Sequence, residues 1–286
     1  MYLEPVSGGH QQGNTFIVEA RLDTEGECIN TVKADLRFSQ DLLEAIDFSS
    51  GNSILTIWLE EPKINQEAGL VSFTGGIPAG FCGKLAGEFG EPDLLLKIIF
   101  RAKEVSGNNI SVKLEFAESS QVLLNDGFGT RAELTRKEAI FSIFPEKSEV
   151  SENEWSEEII KDNIPPEPFE IEINHDPSIL DGKYFITFLT TDKQTGLDYY
   201  EISETRSKKQ EDWKRGTSPY LLEDQSLRSI IKVRAKDKAG NERIVEYAPL
   251  LEIPPFPWWL IILILSGMGT AYWFYRKSKW NIKNQK

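Results

Sequence analysis

Residues 15–22, TFIVEARL, alternate between two kinds of side chain: Phe16, Val18, Ala20 and Leu22 fall on one side, Glu19 and Arg21 on the other. Residues 32–38, VKADLRF, repeat the arrangement, with Val32, Ala34, Leu36 and Phe38 against Lys33, Asp35 and Arg37. A β-strand turns successive side chains to opposite faces, so period two with one charged face marks a half-buried strand. Further strand candidates are 54–59 (ILTIWL), 70–74 (LVSFT), 94–102 (LLLKIIFRA), 110–116 (ISVKLEF), 120–124 (SQVLL) and 138–144 (EAIFSIF). The stretches SSGN, GGIPAG, VSGNN and NDGFG separate them with turn-forming Gly, Asn, Asp and Ser. No long segment carries a helical stripe; SQDLLEAI makes one turn at most. Many short strands at this spacing predict a β-sandwich of about nine strands over 1–145.

The composition then changes. Residues 146–167, EKSEVSENEWSEEIIKDNIPPE, are dominated by acids and end in a Pro-rich stretch. Such a run buries too little apolar surface to order itself and reads as an acidic linker, with Trp155, Ile159 and Ile160 available to dock on a neighbour. A second β-rich block spans 168–250, with FEIEI, KYFITFLTT, DYYEISE, SIIKVRAKD and RIVEYA as strands. Its length suits a small sandwich. Residues 251–257 form a Pro-rich stem.

The 18 residues from Trp258 to Tyr275 contain no charge. As a helix they extend about 27 Å at ~1.5 Å per residue, near the ~30 Å of a bilayer's hydrocarbon layer. Trp258 and Trp259 open the segment, and Tyr272, Trp273 and Tyr275 close it, where interfacial aromatic belts sit. Arg276, Lys277, Lys279, Lys283 and Lys286 follow with no acid among them. Positive charge is retained in the cytoplasm. The expectation is therefore a single-pass transmembrane helix at 258–275, a cytoplasmic tail at 276–286, and residues ahead of the helix outside the cell. The start, MYLEPVSGGHQQ, has neither a basic n-region nor an apolar h-region, so this topology requires a leader ahead of it.

The formal net charge is −13, and excluding the basic tail makes it more negative. That field repels nucleic acid and leaves cations, basic partners or neutral sugars as ligands. The two cysteines, Cys28 and Cys82, suit either one bridge in an exported protein or two free thiols. The two histidines, His10 and His175, lie in polar turns outside any nucleophile–base pattern. No H-E-x-x-H, C-x-x-C or phosphate loop occurs. Glu60 and Glu61 beside Trp58 form an acidic pair of the kind that 45 acids produce by chance. The chain therefore reads as a non-enzyme. Calcium is the one ion with candidates, Asp192, Asp198 and Asp237 near turns of the second block and Asn125 with Asp126 in NDGFGT, none in EF-hand spacing. Trp58, Phe81 and Phe128 are candidates to stack on a ligand, the last two in Gly-rich loops, with Asn125 and Asp126 beside Phe128.

Several stretches taken in order resemble the cohesin domain of cellulosome scaffolds: GNTFIVEARLDTEGECINTVKADLRFSQDLLEAIDFSSGNS, AGLVSFTGGIPAGF, LLLKIIFRAK and SQVLLNDGFGT. The resemblance covers 1–145 and implies a nine-stranded jelly-roll sandwich, related in fold to bacterial carbohydrate-binding modules, that holds dockerin modules or binds surfaces. CGKLAGEFGEPD departs from the pattern as a polar, Gly-rich loop. TTDKQTGLDYYEIS and IKVRAKDKAGNE resemble bacterial extracellular Ig-like modules, over 168–250. Together these imply a membrane-anchored surface protein that recognises a dockerin-like protein module or a polysaccharide. A structural or adhesion stalk with no specific ligand is the alternative.

Overall fold

The computed structural model describes residues 1–83, 93–147, 152–206, 211–249 and 258–283. Most of the departing loop (84–92), the Pro-rich stem (251–257) and the last three residues lie outside the described set. Two compact units result, Met1–Tyr247 and Ala248–Lys286.

Among the described residues the first block forms eleven strands: β1 (Tyr2–Glu4), β2 (Ser7–Gln12), β3 (Thr15–Arg21), β4 (Ile29–Arg37), β5 (Leu43–Ser49), β6 (Ile57–Asn65), β7 (Leu70–Phe81), β8 (Leu94–Ala102), β9 (Ile110–Phe116), β10 (Gln121–Leu124) and β11 (Ala139–Lys147). One sheet runs β1-β3-β8-β5; the other runs β2-β11-β9-β4-β7-β6, with β10 beside β4. The count exceeds the nine expected partly because the first residues make two strands. The chain leaves one sheet after Glu4 and enters the other at Ser7, across Pro5, which cannot donate to a ladder. The inward residues of β3 and β4, Phe16, Val18, Ala20, Val32, Ala34 and Leu36, join Phe73, Phe100 and Phe141 in one core between the sheets.

Strand β8 is buried on both faces: Leu96 and Ile98 face the core, while Ile99, on the Lys97 side, is equally inaccessible. That explains its near-continuous apolar run. The acidic stretch covers this outer side. Rather than remaining unstructured, residues Glu154–Lys161 form helix α1, capped by the Asn153 side chain, which accepts from Ser156 N at 2.9 Å. Trp155 is buried, Glu154 accepts from Ile17 N at 2.9 Å, and Lys97 donates to both Glu158 oxygens at 2.9 Å. The stretch is ordered here rather than extended: Trp155 docks, while Ile160 is 78% exposed. The covered face also explains Arg21: expected toward solvent, it is buried among Glu4, Glu19 and Asp93.

The second block forms β12 (Glu172–His175), β13 (Tyr184–Thr187), β14 (Leu197–Thr205), β15 (Lys214–Arg215), β16 (Tyr220–Leu221), β17 (Ile230–Asp237) and β18 (Glu242–Tyr247). Its sheets run β12-β13-β16 and β15-β14-β17-β18 around Ile186, Phe188, Ile202, Leu222, Ile231 and Val233. The two blocks are joined closely. Ser49 Oγ donates to Thr195 O at 2.7 Å, and Lys238 Nζ reaches Asp47 Oδ1 at 2.6 Å. A Cβ at Gly51 would stand 1.8 Å from the Gln194 carbonyl oxygen, so only glycine permits this approach.

The C-terminal unit contains helix α2, Trp258–Lys283. The expectation of a membrane span there is corrected: among the described residues no helix is long and apolar enough to cross a membrane. The single-pass topology with outer modules and a cytoplasmic tail is therefore unsupported. The interfacial roles assigned to Trp258, Trp259, Tyr272, Trp273, Tyr275, Arg276 and Lys277 fall with it. Tyr272 and Trp273 are exposed, Lys277 Nζ lies 4.8 Å from the Trp273 ring centroid, and the side chains of Trp258, Trp259 and Tyr275 are outside the described set.

Candidate recognition surface

The loop after β10 is short and tied down. Leu124 N donates to Thr130 O at 2.8 Å, closing it, and Asn125 N donates to Cys28 O at 2.8 Å. Cys28 and Cys82 form a disulfide, deciding the alternative that sequence left open. The Asn125 side chain sits 2.2 Å from where a Cβ on Gly80 would stand. Residues 80–82, 28 and 125 therefore meet at one corner of the sandwich. Within the loop Asp126 Oδ1 accepts from Phe128 N at 2.8 Å. Hydrogen bonds from the Thr130 side chain and from Phe128 N hold the Asp126 carboxyl below its usual range. Gly127 and Gly129, at φ of 76° and 71°, let the chain turn on each side of Phe128.

The result is a phenylalanine 91% exposed, the most exposed of the large hydrophobic residues described. Leaving that ring in water forgoes roughly 2 kcal/mol relative to burial. Phe81, at the same corner, is half-buried and packs on the core. Of the five positions expected to contact a ligand, Phe81, Asn125, Asp126 and Phe128 are thus gathered, and Trp58 is not. Trp58 lies on β6 opposite Gly75, half-buried and edge-on to Phe73 at a centroid distance of 5.9 Å.

A second constellation lies where α1 ends. Asp162, Asp192 and Asp237 are all buried, and each presents a carboxylate oxygen within 4.8 Å of the others. Asp162 Oδ2 accepts from Thr195 N and Oγ1 at 3.1 and 2.6 Å. Asp192 Oδ1 accepts from Gln194 N and Gly196 N at 2.9 and 2.8 Å, and Asp237 accepts from Asn241 N and Nδ2 at 2.8 and 2.9 Å. Burial pushes the carboxyls of Asp192 and Asp237 up, and the neighbouring acids add to it. Sequence reasoning had paired Asp192 and Asp237 with Asp198, which is exposed on β14 and stands outside the group. It missed Asp162, which lies in a stretch read as unstructured; only the fold brings that residue to turns some 30 and 75 positions later.

The histidines occupy structural settings. His10 stacks on Phe16 at 3.8 Å between ring centroids, its buried Nε2 has no hydrogen-bond partner, and burial lowers its pKa. His175 lies against Tyr184. Glu60 accepts from the Thr74 hydroxyl at 3.0 Å.

No family model matches the chain, and no curated protein matches it. Solved cohesin modules do resemble it. The cohesin in a type I cohesin–dockerin complex from Clostridium thermocellum is 16% identical, with 50% of this chain and 92% of that one covered and a TM-score of 0.37. A cohesin module of a family 33 glycoside hydrolase from Clostridium perfringens is 16% identical, with 48% and 90% covered and a TM-score of 0.34. A type I cohesin from Pseudobacteroides cellulosolvens is 20% identical, with 50% and 92% covered and a TM-score of 0.33. Scores this low carry no argument about function, and the strand pairing of the first block stands by itself.

Proposed function

We propose that this chain is a non-catalytic binding protein whose cohesin-like block holds a protein module of the dockerin kind, with the second block serving as an Ig-like spacer. The observation that carries this reading is Phe128: a nearly fully exposed ring on a loop pinned by hydrogen bonds and set beside a disulfide. Protein interfaces take most of their energy from a few aromatic anchors. A loop already fixed in place also loses little conformational freedom on binding. The partner's identity as a dockerin-like module follows from the sequence resemblance. A conventional interface of roughly 800 Å² a side is expected around Phe128. The test is surface plasmon resonance of the immobilised chain against a panel of purified dockerin modules. Saturable micromolar or tighter binding of at least one supports the reading; no binding by any member overturns it.

The acid group favours a second reading, calcium binding at Asp162, Asp192 and Asp237. Three buried carboxylates repel one another, and a hard divalent cation relieves that repulsion with oxygen ligands alone. Turn carbonyls and water would complete the six to eight oxygens such an ion takes. Millimolar calcium is expected to raise the melting temperature, and Asp192→Asn to abolish the rise. An unchanged melting temperature for the metal-free protein would remove calcium from the account.

A further inference from the structure

Between the two sandwiches lies a cleft of about 500 Å³, within the size range of small-ligand sites. Trp58 and Glu61 of β6 form one wall; Asp198 and Tyr199 of β14, with Arg215 of β15, form the other. The Arg215 guanidinium carbon lies over the Tyr199 ring, 4.0 Å from its centroid, within reach of a cation–π contact. Glu61, Asp198 and Arg215 line the same space, yet none makes a side-chain hydrogen bond or ion pair among the described residues. Elsewhere at this junction the opposite charges do meet, as Lys238 and Asp47 do at 2.6 Å.

We infer that this cleft binds a neutral oligosaccharide. Its walls offer aromatic surface together with both acceptors and a donor fork. A pyranose needs that combination: its apolar face stacks on a ring, and each hydroxyl both gives and takes a hydrogen bond. Carboxylates of Glu61 and Asp198 accept from O–H groups, and the planar Arg215 donates to a vicinal pair. An anionic ligand would face two carboxylates, and a cationic one would face the guanidinium, so the uncharged class fits best. This site is separate from the Phe128 corner, and its assignment does not depend on dockerin binding.

The test is isothermal titration calorimetry of the full chain with cellotetraose, xylotetraose and mannotetraose, with tetragalacturonate as the anionic comparison. At least one neutral tetrasaccharide is expected to bind with a dissociation constant of a millimolar or tighter. Arg215→Ala, on a two-residue exposed strand, is expected to weaken it at least about tenfold, while Lys214→Ala, whose partner Glu223 lies outside the cleft, leaves it unchanged. Trp58→Phe is expected to weaken it as well. Absence of binding by all three neutral sugars, a stronger titration by tetragalacturonate, or binding insensitive to Arg215→Ala each overturns the inference.

Discussion

Lys238 Nζ lies 2.6 Å from Asp47 Oδ1, joining two residues 191 positions apart. The Lys238 side chain is 10% exposed and Asp47 32%, and the ammonium also sits 4.8 Å from the Phe48 ring centroid. The pair links the turn before β18 to β5, one sandwich to the other. Because the lysine is largely desolvated, removing its partner leaves a charge poorly placed for water. Asp47→Ala is expected to destabilise the protein by about 2 kcal/mol, the fully buried figure being reduced because the aspartate is a third exposed. Lys238→Met, which keeps the stem and removes the charge, should be milder. Urea denaturation of the two variants, compared by midpoint, checks the order.

Gly51 marks the same seam. A methyl group there would overlap the Gln194 carbonyl oxygen at 1.8 Å, a backbone atom that cannot swing away. Gly51→Ala is expected to cost more than about 2 kcal/mol, in the range of overpacking in a filled core. A melting curve within a degree or two of the parent would show that the two blocks do not hold this contact in solution.

The Cys28–Cys82 bridge closes a loop with a sequence separation of 54. Chain entropy alone assigns such a closure about 4 kcal/mol. The Cys28→Ser/Cys82→Ser double variant should lose up to that amount in chemical denaturation. It should also loosen the Phe128 loop, since Asn125 is anchored on the Cys28 carbonyl. Hydrogen exchange at 125–130 faster than in the parent is the accompanying signature.

His10 supplies a pH dependence. Its pKa is lowered in the folded protein because protonation would place a charge against Phe16 and Phe141, with no partner at Nε2. A depressed folded pKa means stability that is present above the unfolded value near 6.5 and is lost as pH falls below it. His10→Phe is expected to reduce the fall in melting temperature between pH 7.5 and pH 5.5. An identical fall in both proteins contradicts the assignment.

Asp192 and Asp237 act with the opposite sign. Their raised folded pKa values favour the protonated fold, so this contribution is present below about pH 3.8 and is lost as pH rises through the folded values. In metal-free buffer, Asp192→Asn should therefore compare more favourably with the parent at pH 7 than at pH 4. Melting temperatures at the two pH values test the crossing.

The strands were legible wherever period two was clean, as in TFIVEARL and VKADLRF, because alternation records burial directly. Phe128 was legible too: a large apolar residue between two glycines in a turn has little to pack against. What escaped depends on surfaces assembled from distant parts. Arg21 reads as a solvent residue until Glu4, Glu19 and Asp93 are placed around it. The acidic stretch reads as disordered until the fold buries Trp155, Glu154 meets the Ile17 N–H of β3 and Lys97 offers a partner to Glu158. The terminal apolar run matched a bilayer on length and flanks, but among the described residues no helix is long and apolar enough to span one.

The most direct measurement is the affinity of a dockerin module that binds the parent chain, repeated with Phe128→Ala. Removing a central aromatic anchor should cost about 2 kcal/mol, roughly a thirtyfold rise in the dissociation constant, with the melting temperature unchanged because the ring packs on nothing in the free protein. Unaltered affinity in a folded Phe128→Ala protein would contradict the claim that this corner is where the chain holds its partner.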